Sequence, residues 1–340
     1  MISVVCPFYN EAAILEKSVS LMLKNLEALP DEWELIIVND GSRDDSLNIA
    51  RQLEAKYPRL CVLSYPLNRG RGYAIRTGAA AARGDILVTT EIDSSWGDDI
   101  VLRLVGEMGK RPDADMIIAS PHLPGGGYKN VPVRRVFLSS LGNYIIRAGL
   151  TYSITMNTGM TRAYRREKFL LLPLDEDEKE IHLEIIHKAL AFGYRIYEIP
   201  AVLEWKDHAL AKTPQQTRKS SSNVNRLIRT HTLFSLIAAP FRYIYSVAAS
   251  LAVVSGLSFI WSFYNLLTHH VAVYLFLTSV LIMLFGFMIF SVGVLAQQGR
   301  TLQREVWRLR SALHAMALPD AEDAGNTHQN KTARSRSAAS

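Results

Sequence analysis

The stretch Val88-Thr-Thr-Glu-Ile-Asp-Ser-Ser-Trp96 decides how this chain is read. An apolar run, Asp85 to Thr90, ends abruptly in Glu91-Ile92-Asp93. Residues i and i+2 of an extended chain share a face, so both carboxylates point at one object. Taken alone, the pair is also what a solvated strand end before a turn looks like. The alternative is a site for a divalent cation and an anionic ligand. What the rest of the chain brings to the same edge separates the two.

Short apolar runs at Ile2–Cys6, Trp33–Asn39, Leu60–Tyr65, Asp85–Thr90 and Met116–Ser120 read as strands. Helical spacing of apolar residues covers Glu11–Leu29, Asp44–Lys56 and Tyr73–Ala82 between them. Strands alternating with helices predict an α/β fold, a mostly parallel sheet with helices on both faces. Such sheets bind ligands beyond the carboxyl ends of their strands. There the sequence places Pro7-Phe-Tyr-Asn-Glu11, Asp40-Gly-Ser-Arg-Asp-Asp45, Asn68-Arg-Gly-Arg-Gly72 and Glu91-Ile-Asp93. Polar or glycine-rich clusters after four consecutive strands carry more weight than any one of them. Further on, the glycine-rich segment 121–132 is open between a lid that orders on ligand binding and an inert loop. A helix over 133–150, a helix ending near Phe192 after the acidic run 175–180, and a strand at Arg195–Ile199 follow.

The chain has 340 residues and a net charge of +6. Residues 1–205 have the composition of a soluble domain, and 206–242 form a polar, basic junction. Tyr243–Leu267 and Val271–Ala296 lack charge and are each long enough to cross a hydrocarbon core of ~30 Å. Lys and Arg flank both spans (Arg226, Arg229, Arg242; Arg300, Arg304, Arg308) and are missing from the connection Thr268-His-His270. The positive-inside bias places both chain ends and the large domain in the cytoplasm, with 243–296 as a membrane hairpin. The N-terminus opens directly as a strand, without a signal peptide. Segment 297–340 reads as a basic cytoplasmic helix followed by a disordered tail. Residues 300–315 are open between an interface helix of a homo-oligomer and a helix lying on the membrane. The basic charge sits near the spans, which fits anionic headgroups and excludes nucleic acid as a partner. Cys6 and Cys61 lie in apolar runs without metal-ligand spacing and are expected as core thiols.

Gly70-Arg-Gly-Tyr-Ala-Ile75 begins like a dinucleotide fingerprint, but it lacks the third glycine and follows the third strand. Together with Val4–Glu11, Ile36–Asp44, Asn68–Ala74, Gly84-Asp85 and Glu91-Ile-Asp93, it instead resembles the ordered motifs of family 2 glycosyltransferases. With the hairpin, the chain is most similar to the branch of dolichyl-phosphate mannose synthase and the bacterial polyprenyl-phosphate glycosyltransferases.

This resemblance implies a GT-A type (Rossmann-like) domain that uses a nucleotide-sugar donor, a polyprenyl phosphate acceptor at the bilayer, and Mg²⁺ or Mn²⁺. Glu11 and Asp40 take the positions of the acids that hold the nucleotide, with Pro7, Tyr9, Arg71 and Glu91 completing the donor set. Asp44 is expected to cap the next helix, and Asn39 stands where many relatives carry Asp. Asp85 matches an acid before the fourth strand or caps that strand. Asp93 is the expected metal ligand and a catalytic residue, with Glu91 as a second ligand one methylene longer than the family's Asp. Arg134 and Arg135 lie where relatives carry basic residues for lipid phosphate, and Arg218 and Lys219 extend that acceptor set. Arg147 and Arg162 are weaker candidates. Glu184 is the expected carboxylate on the acceptor side, and His182 reads as a surface residue. Two alternatives stay open. One is transfer to a sugar hydroxyl in polysaccharide or glycolipid synthesis, for which Gln215-Gln-Thr-Arg-Lys219 departs from the usual Gln-x-x-Arg-Trp. The other is a degenerate transferase kept as a membrane scaffold.

Overall fold

Strand β2, Trp33–Asp40, is buried at every position. Its run of apolar residues has the pattern of a strand covered on both faces, as in the interior of a parallel sheet. A computed structural model describes residues 1–131, 154–204, 240–268 and 273–317. In it, β2 lies between β1 (Ile2–Phe8) and β3 (Leu60–Tyr65), and β1 also pairs with β4 (Ile86–Thr89), all in parallel. Helices α1 (Leu15–Leu26), α2 (Ser46–Lys56), α3 (Arg71–Ala81) and α4 (Ile100–Lys110) connect or follow these strands. The chain leaves β1 toward β2 and β3, then crosses to β4 on the other side. This reversal opens a crevice at the carboxyl ends of β1 and β4, the usual ligand position in such sheets.

Beyond β4 the sheet runs through β7 (Arg162–Arg165), β5 (Met116–Ser120) and β8 (Ile196–Pro200), giving the order β3-β2-β1-β4-β7-β5-β8. Strand β7 is antiparallel to both neighbours. It is absent from the sequence reading because two of its four residues are arginines. Arg165 donates to the carbonyls of Ala114 and Met108, and Arg162 is fully buried. The glycine-rich segment read as a lid or a loop contains a short strand. Strand β6 (Gly127–Lys129) pairs in parallel with β9 (Val202–Glu204). The Glu204 N–H donates to the Ser95 carbonyl at 2.7 Å, which ties this ribbon to the loop after β4. Helices α5 (Arg166–Leu170) and α6 (Ile181–Ala191) complete the domain. The helix expected over 133–150, the junction 206–239 and the tail from 318 lie outside the described residues. Cys6 is fully buried, whereas Cys61 is only half-buried.

Two long helices follow, α7 (Pro240–Leu267) and α8 (Val273–Ala317), and both are long and apolar enough to cross a membrane. They meet along small residues spaced by seven, Ala248, Ser255 and Ser262 on α7 against Ser279, Gly286 and Gly293 on α8. The Ser255 hydroxyl donates to the Ser279 carbonyl at 2.8 Å. A Cβ on Gly293 would come within 2.9 Å of Ile244 Cγ2. Small residues permit this close approach where lipid supplies no hydrophobic drive between helices.

Two helical glycines give opposite expectations for the same substitution. A Cβ on Gly78 of α3 would lie 2.4 Å from Val5 Cγ1, inside the sheet packing, whereas Gly106 of α4 has open space. Gly78→Ala is expected to destabilise the domain by about 1–3 kcal/mol through overpacking. Gly106→Ala is expected to stabilise it by roughly 0.5–1 kcal/mol through backbone entropy. Denaturant titration of the two variants checks both signs.

Candidate active site

The crevice is built on Asp40, the last residue of β2. Its carboxylate accepts hydrogen bonds from the Tyr65 hydroxyl (2.8 Å), Asn68 Nδ2 (2.9 Å), and the backbone N–H groups of Arg69 (2.8 Å) and Gly70 (3.1 Å). Four donor groups compensate a buried acid that would otherwise be costly. Burial and the neighbouring Asp40 push the Tyr65 phenol well above its usual range, so it remains a donor. The sequence reading gave Asp40 to the nucleotide. In the structure both of its oxygens take part in shaping the 68–72 turn. Gly70, at φ +99, opens that turn onto α3. Next to it, Arg69 lies 3.5 Å above the Tyr73 ring, and Tyr73 meets Tyr65 edge to face.

The neighbouring loops are tied to one another. Asn10, at φ 54, accepts from the Arg43 N–H, and its own N–H donates to Ser42 Oγ. Asn39 accepts from Ser42 N–H and donates to Ser64 Oγ. Here the amide serves as donor and acceptor at once. Asp44, expected to cap α2, lies one residue before its N-cap Asp45 and accepts from the N–H groups of Ser46 and Ala12. Glu11 is buried beside them, and its N–H donates to Ser46 Oγ. Pro7 lies in β1 opposite Val38, and Tyr9 is 39% exposed at the mouth. Asp85, by contrast, sits at the amino end of β4, exposed and on the far edge from the crevice.

At the tip of β4 the two acids separate in role. Glu91 accepts from Ser95 Oγ at 2.9 Å and Trp96 Nε1 at 3.1 Å, and Arg71 lies 3.6 Å from its other oxygen. Glu91, expected as a second metal ligand, holds its own turn and lies beside Arg71. Asp93 accepts only the Ser95 N–H, at 3.1 Å on Oδ1. Its second oxygen carries no hydrogen bond among the described residues. The turn needs Ser94 at φ 52 and Gly97 at φ 87.

Among the described residues no cluster of three or more acidic, His or Cys side chains forms a metal cage. One open carboxylate does fit the way Mg²⁺ is commonly held, by one or two protein carboxylates with substrate phosphates and water completing the shell. Asp93 is the residue that would hold such an ion.

Glu184, the carboxylate expected on the acceptor side, is buried. It accepts from the N–H groups of Asp175 (2.9 Å) and Glu176 (3.0 Å) and pairs with buried Lys188 at 2.6 Å. These contacts fix the acidic run against the glycine turn, where Gly72 N–H donates to the Asp177 carbonyl at 2.6 Å. A Cβ on Gly72 would sit 2.4 Å from the Glu176 carbonyl oxygen, so glycine is required there.

His182 is 2% exposed, not a surface residue. Its backbone carbonyl accepts from Arg162 at 3.0 Å, and Asn157's carbonyl accepts from the same guanidinium at 2.8 Å. Burial, then the charges of Arg162 and Arg71, hold the His182 imidazole well below its usual range. Sequence reasoning missed this neutral, interior imidazole, whose only signal was its place between Ile181 and Leu183. Arg134, Arg135, Arg147, Arg218 and Lys219 lie outside the described residues.

Compared with known proteins, residues 3–171 match the profile described as Glycosyl transferase family 2. The chain belongs to that family. It is a glycosyltransferase with a GT-A-like domain. It is 24% identical to a dolichyl-phosphate beta-glucosyltransferase of Trichomonas vaginalis over 61% of the chain and 66% of the relative. It is 28% identical to a polyprenol monophosphomannose synthase of Mycolicibacterium smegmatis over 62% of the chain and 79% of the relative. An undecaprenyl-phosphate mannosyltransferase of Micrococcus luteus is 29% identical over 58% of the chain and 80% of its own length. The crystal structure of glucosyl-3-phosphoglycerate synthase from Mycobacterium tuberculosis with Mn²⁺, UDP and phosphoglyceric acid shares the fold. Its TM-score is 0.51 at 22% identity, over 69% of this chain and 77% of that one. Another crystal structure of that enzyme holds Mg²⁺ and UDP.

Two outcomes are expected from this geometry. Asp40→Asn replaces an acceptor by an amide N–H facing the Asn68 amide and the Gly70 N–H. It should cost about 1–3 kcal/mol and weaken nucleotide binding, read by denaturation and by titration calorimetry. For His182, the unfolded imidazole titrates near pH ~6.5 and the native one well below. The unfolded state therefore binds more protons in acid, so stability falls as pH drops through about 6.5. His182→Gln should flatten that part of the profile in melting curves between pH 7.5 and 5.

Proposed function

We propose that this glycosyltransferase moves a sugar from a nucleotide-sugar to a polyprenyl phosphate, such as an undecaprenyl or dolichyl phosphate, at the cytoplasmic membrane face, with inversion and with a divalent metal. The observation that carries this reading is one chain joining a GT-A domain to two membrane-length helices, as its similarity to three lipid-phosphate sugar transferases would require. The positive flanks of the helices support the cytoplasmic side.

The chemistry asked of the site is modest. A phosphate monoester with a second pKa near ~6 is largely dianionic at neutral pH. Its oxygen attacks the anomeric carbon, forming a C–O bond to the lipid phosphate as the bond to the donor's β-phosphate oxygen breaks. The nucleoside diphosphate leaves, and no proton needs to be removed. This agrees with Glu184 being taken up by Lys188 and two backbone N–H groups. Transfer to a sugar hydroxyl would want an open carboxylate base, and Glu184 does not supply one. A divalent ion bound through Asp93 would supply charge neutralisation on the departing diphosphate. Arg71, oriented by Glu91, adds a cation on the same edge. Arg134, Arg135, Arg218 and Lys219 are the proposed partners of the lipid phosphate, where the planar guanidinium suits bidentate contact.

The test is sugar transfer in solubilised membranes, with a panel of labelled nucleotide-sugars and polyprenyl phosphate. Label on a mild-acid-labile lipid, abolished by chelator, is the expected result. Asp93→Asn should lower turnover by about 10²–10³-fold, equivalent to ~3–4 kcal/mol of transition-state stabilisation. Glu184→Gln should lower thermal stability and leave the pH profile of transfer in place. Unlabelled lipid with every donor, despite metal-dependent nucleotide binding, would sink the phosphate acceptor.

A further inference from the structure

Helix α8 does not end with its apolar span. Its 45 residues measure ~67 Å at about 1.5 Å per residue, roughly twice a hydrocarbon core of ~30 Å. The charged residues Arg304, Glu305, Arg308 and Arg310 fall in its last third, so that third continues out of the apolar layer in line with the span. In line with the span, it is not lying flat on headgroups.

The extension has two distinct faces. Trp307 and Ser311, four apart and so on one side of the helix, meet the catalytic domain. The Trp307 ring lies 5.3 Å from Lys188 Nζ, Ser311 is buried, and neighbouring Arg310 is 3.4 Å from Asp175. The opposite side carries Leu302, Val306, Leu309, Leu313 and Met316, at steps of four, three, four and three. All five are exposed, from 45% for Val306 to 85% for Met316. An unbroken apolar stripe facing water outside the membrane calls for a partner.

We infer that this stripe pairs with the same stripe of a second copy, as a short parallel coiled coil that makes the protein a homodimer. Three observations select that occupant. The 4-3-4-3 spacing is the heptad repeat, which needs a facing helix of the same period. Leu302, Leu309 and Met316 take the d positions and Val306 and Leu313 the a positions; a β-branched a residue with Leu at d favours two parallel strands. The flanks are also complementary. Glu305 falls at g and Arg310 at the following e, so a parallel pair brings these opposite charges together across the seam, beside the contacts that Glu305 makes with Arg308 and Arg310 with Asp175 in each copy. Anchoring supplies the rest, because two copies in one membrane present their extensions in the same direction and at raised local concentration.

The experiment uses the full-length protein with Cys61→Ser, leaving the buried Cys6. Single cysteines are placed at d positions (Leu302→Cys, Leu309→Cys) and on the outward or docked side (Arg304→Cys, Arg308→Cys). Mild oxidation in membranes should give disulfide-linked dimer at least ten-fold faster at 302 and 309 than at 304 and 308. Light scattering of the otherwise unmodified protein in detergent should give a dimer mass, and Leu302→Glu/Leu309→Glu a monomer. Equal crosslinking at all four positions, a monomeric mass before mutation, or a different protein occupying the stripe would each overturn the proposal.

Discussion

The Asp40 carboxylate organises the donor side of this molecule. It ends a strand with no solvent-facing residue, where an isolated charge would be untenable. Four donor groups converge on it, two of them backbone N–H groups of the 69–70 turn. Because these bonds are directional, they fix where the chain turns from β3 into α3. The acidic run 175–178 then packs on that turn through Gly70 and Gly72, which have no Cβ to keep it away. Arg76 adds contacts to Glu176 and Asp177 from α3. The crevice wall is thus a consequence of one buried acid at a strand end.

The same acidic run reaches the membrane helix. Glu184 and Lys188 of α6 hold Asp175 and Glu176 from below, while Arg310 and Trp307 of α8 approach Asp175 and Lys188 from the other side. A continuous set of contacts runs from the extension of α8 to the glycine turn. Lys188 is almost fully buried, so its charge depends on Glu184 and Asp175 for compensation. The pair positions the acidic run against the glycine turn.

At the other end of the crevice, two acids two residues apart do different work. Both leave β4 at its carboxyl end, yet Trp96 and Ser95 fold back onto Glu91, and among the described residues Asp93 has a single backbone bond. The extra methylene of Glu91 lets it reach its own turn. Arg71 is drawn to the same carboxylate, which places a cation beside the open acid. Behind them, two nitrogens of Arg162 donate to the carbonyls of His182 and Asn157, and the neighbouring imidazole of His182 is kept neutral by burial and by that guanidinium.

Much of this was legible from residue order alone. Period-two and period-3.6 apolar patterns gave β1 to β5 and α1 to α3, because burial on a sheet or helix face is a local periodic constraint. The four polar strand ends located the crevice, since topology sends parallel strands out on one edge. The uncharged runs marked the hairpin by length and composition. What the sequence could not express were decisions made by residues distant in the chain. Strand β7 hides behind arginines whose charges are met by carbonyls far away. Gly127–Lys129 forms a strand only because β9 lies beside it. Asp40, Glu91, Asp93 and Glu184 look alike as acids, and which of them stays open depends on the donors that folding brings to each. Carboxylate identity is local, but carboxylate occupancy is a property of three-dimensional packing.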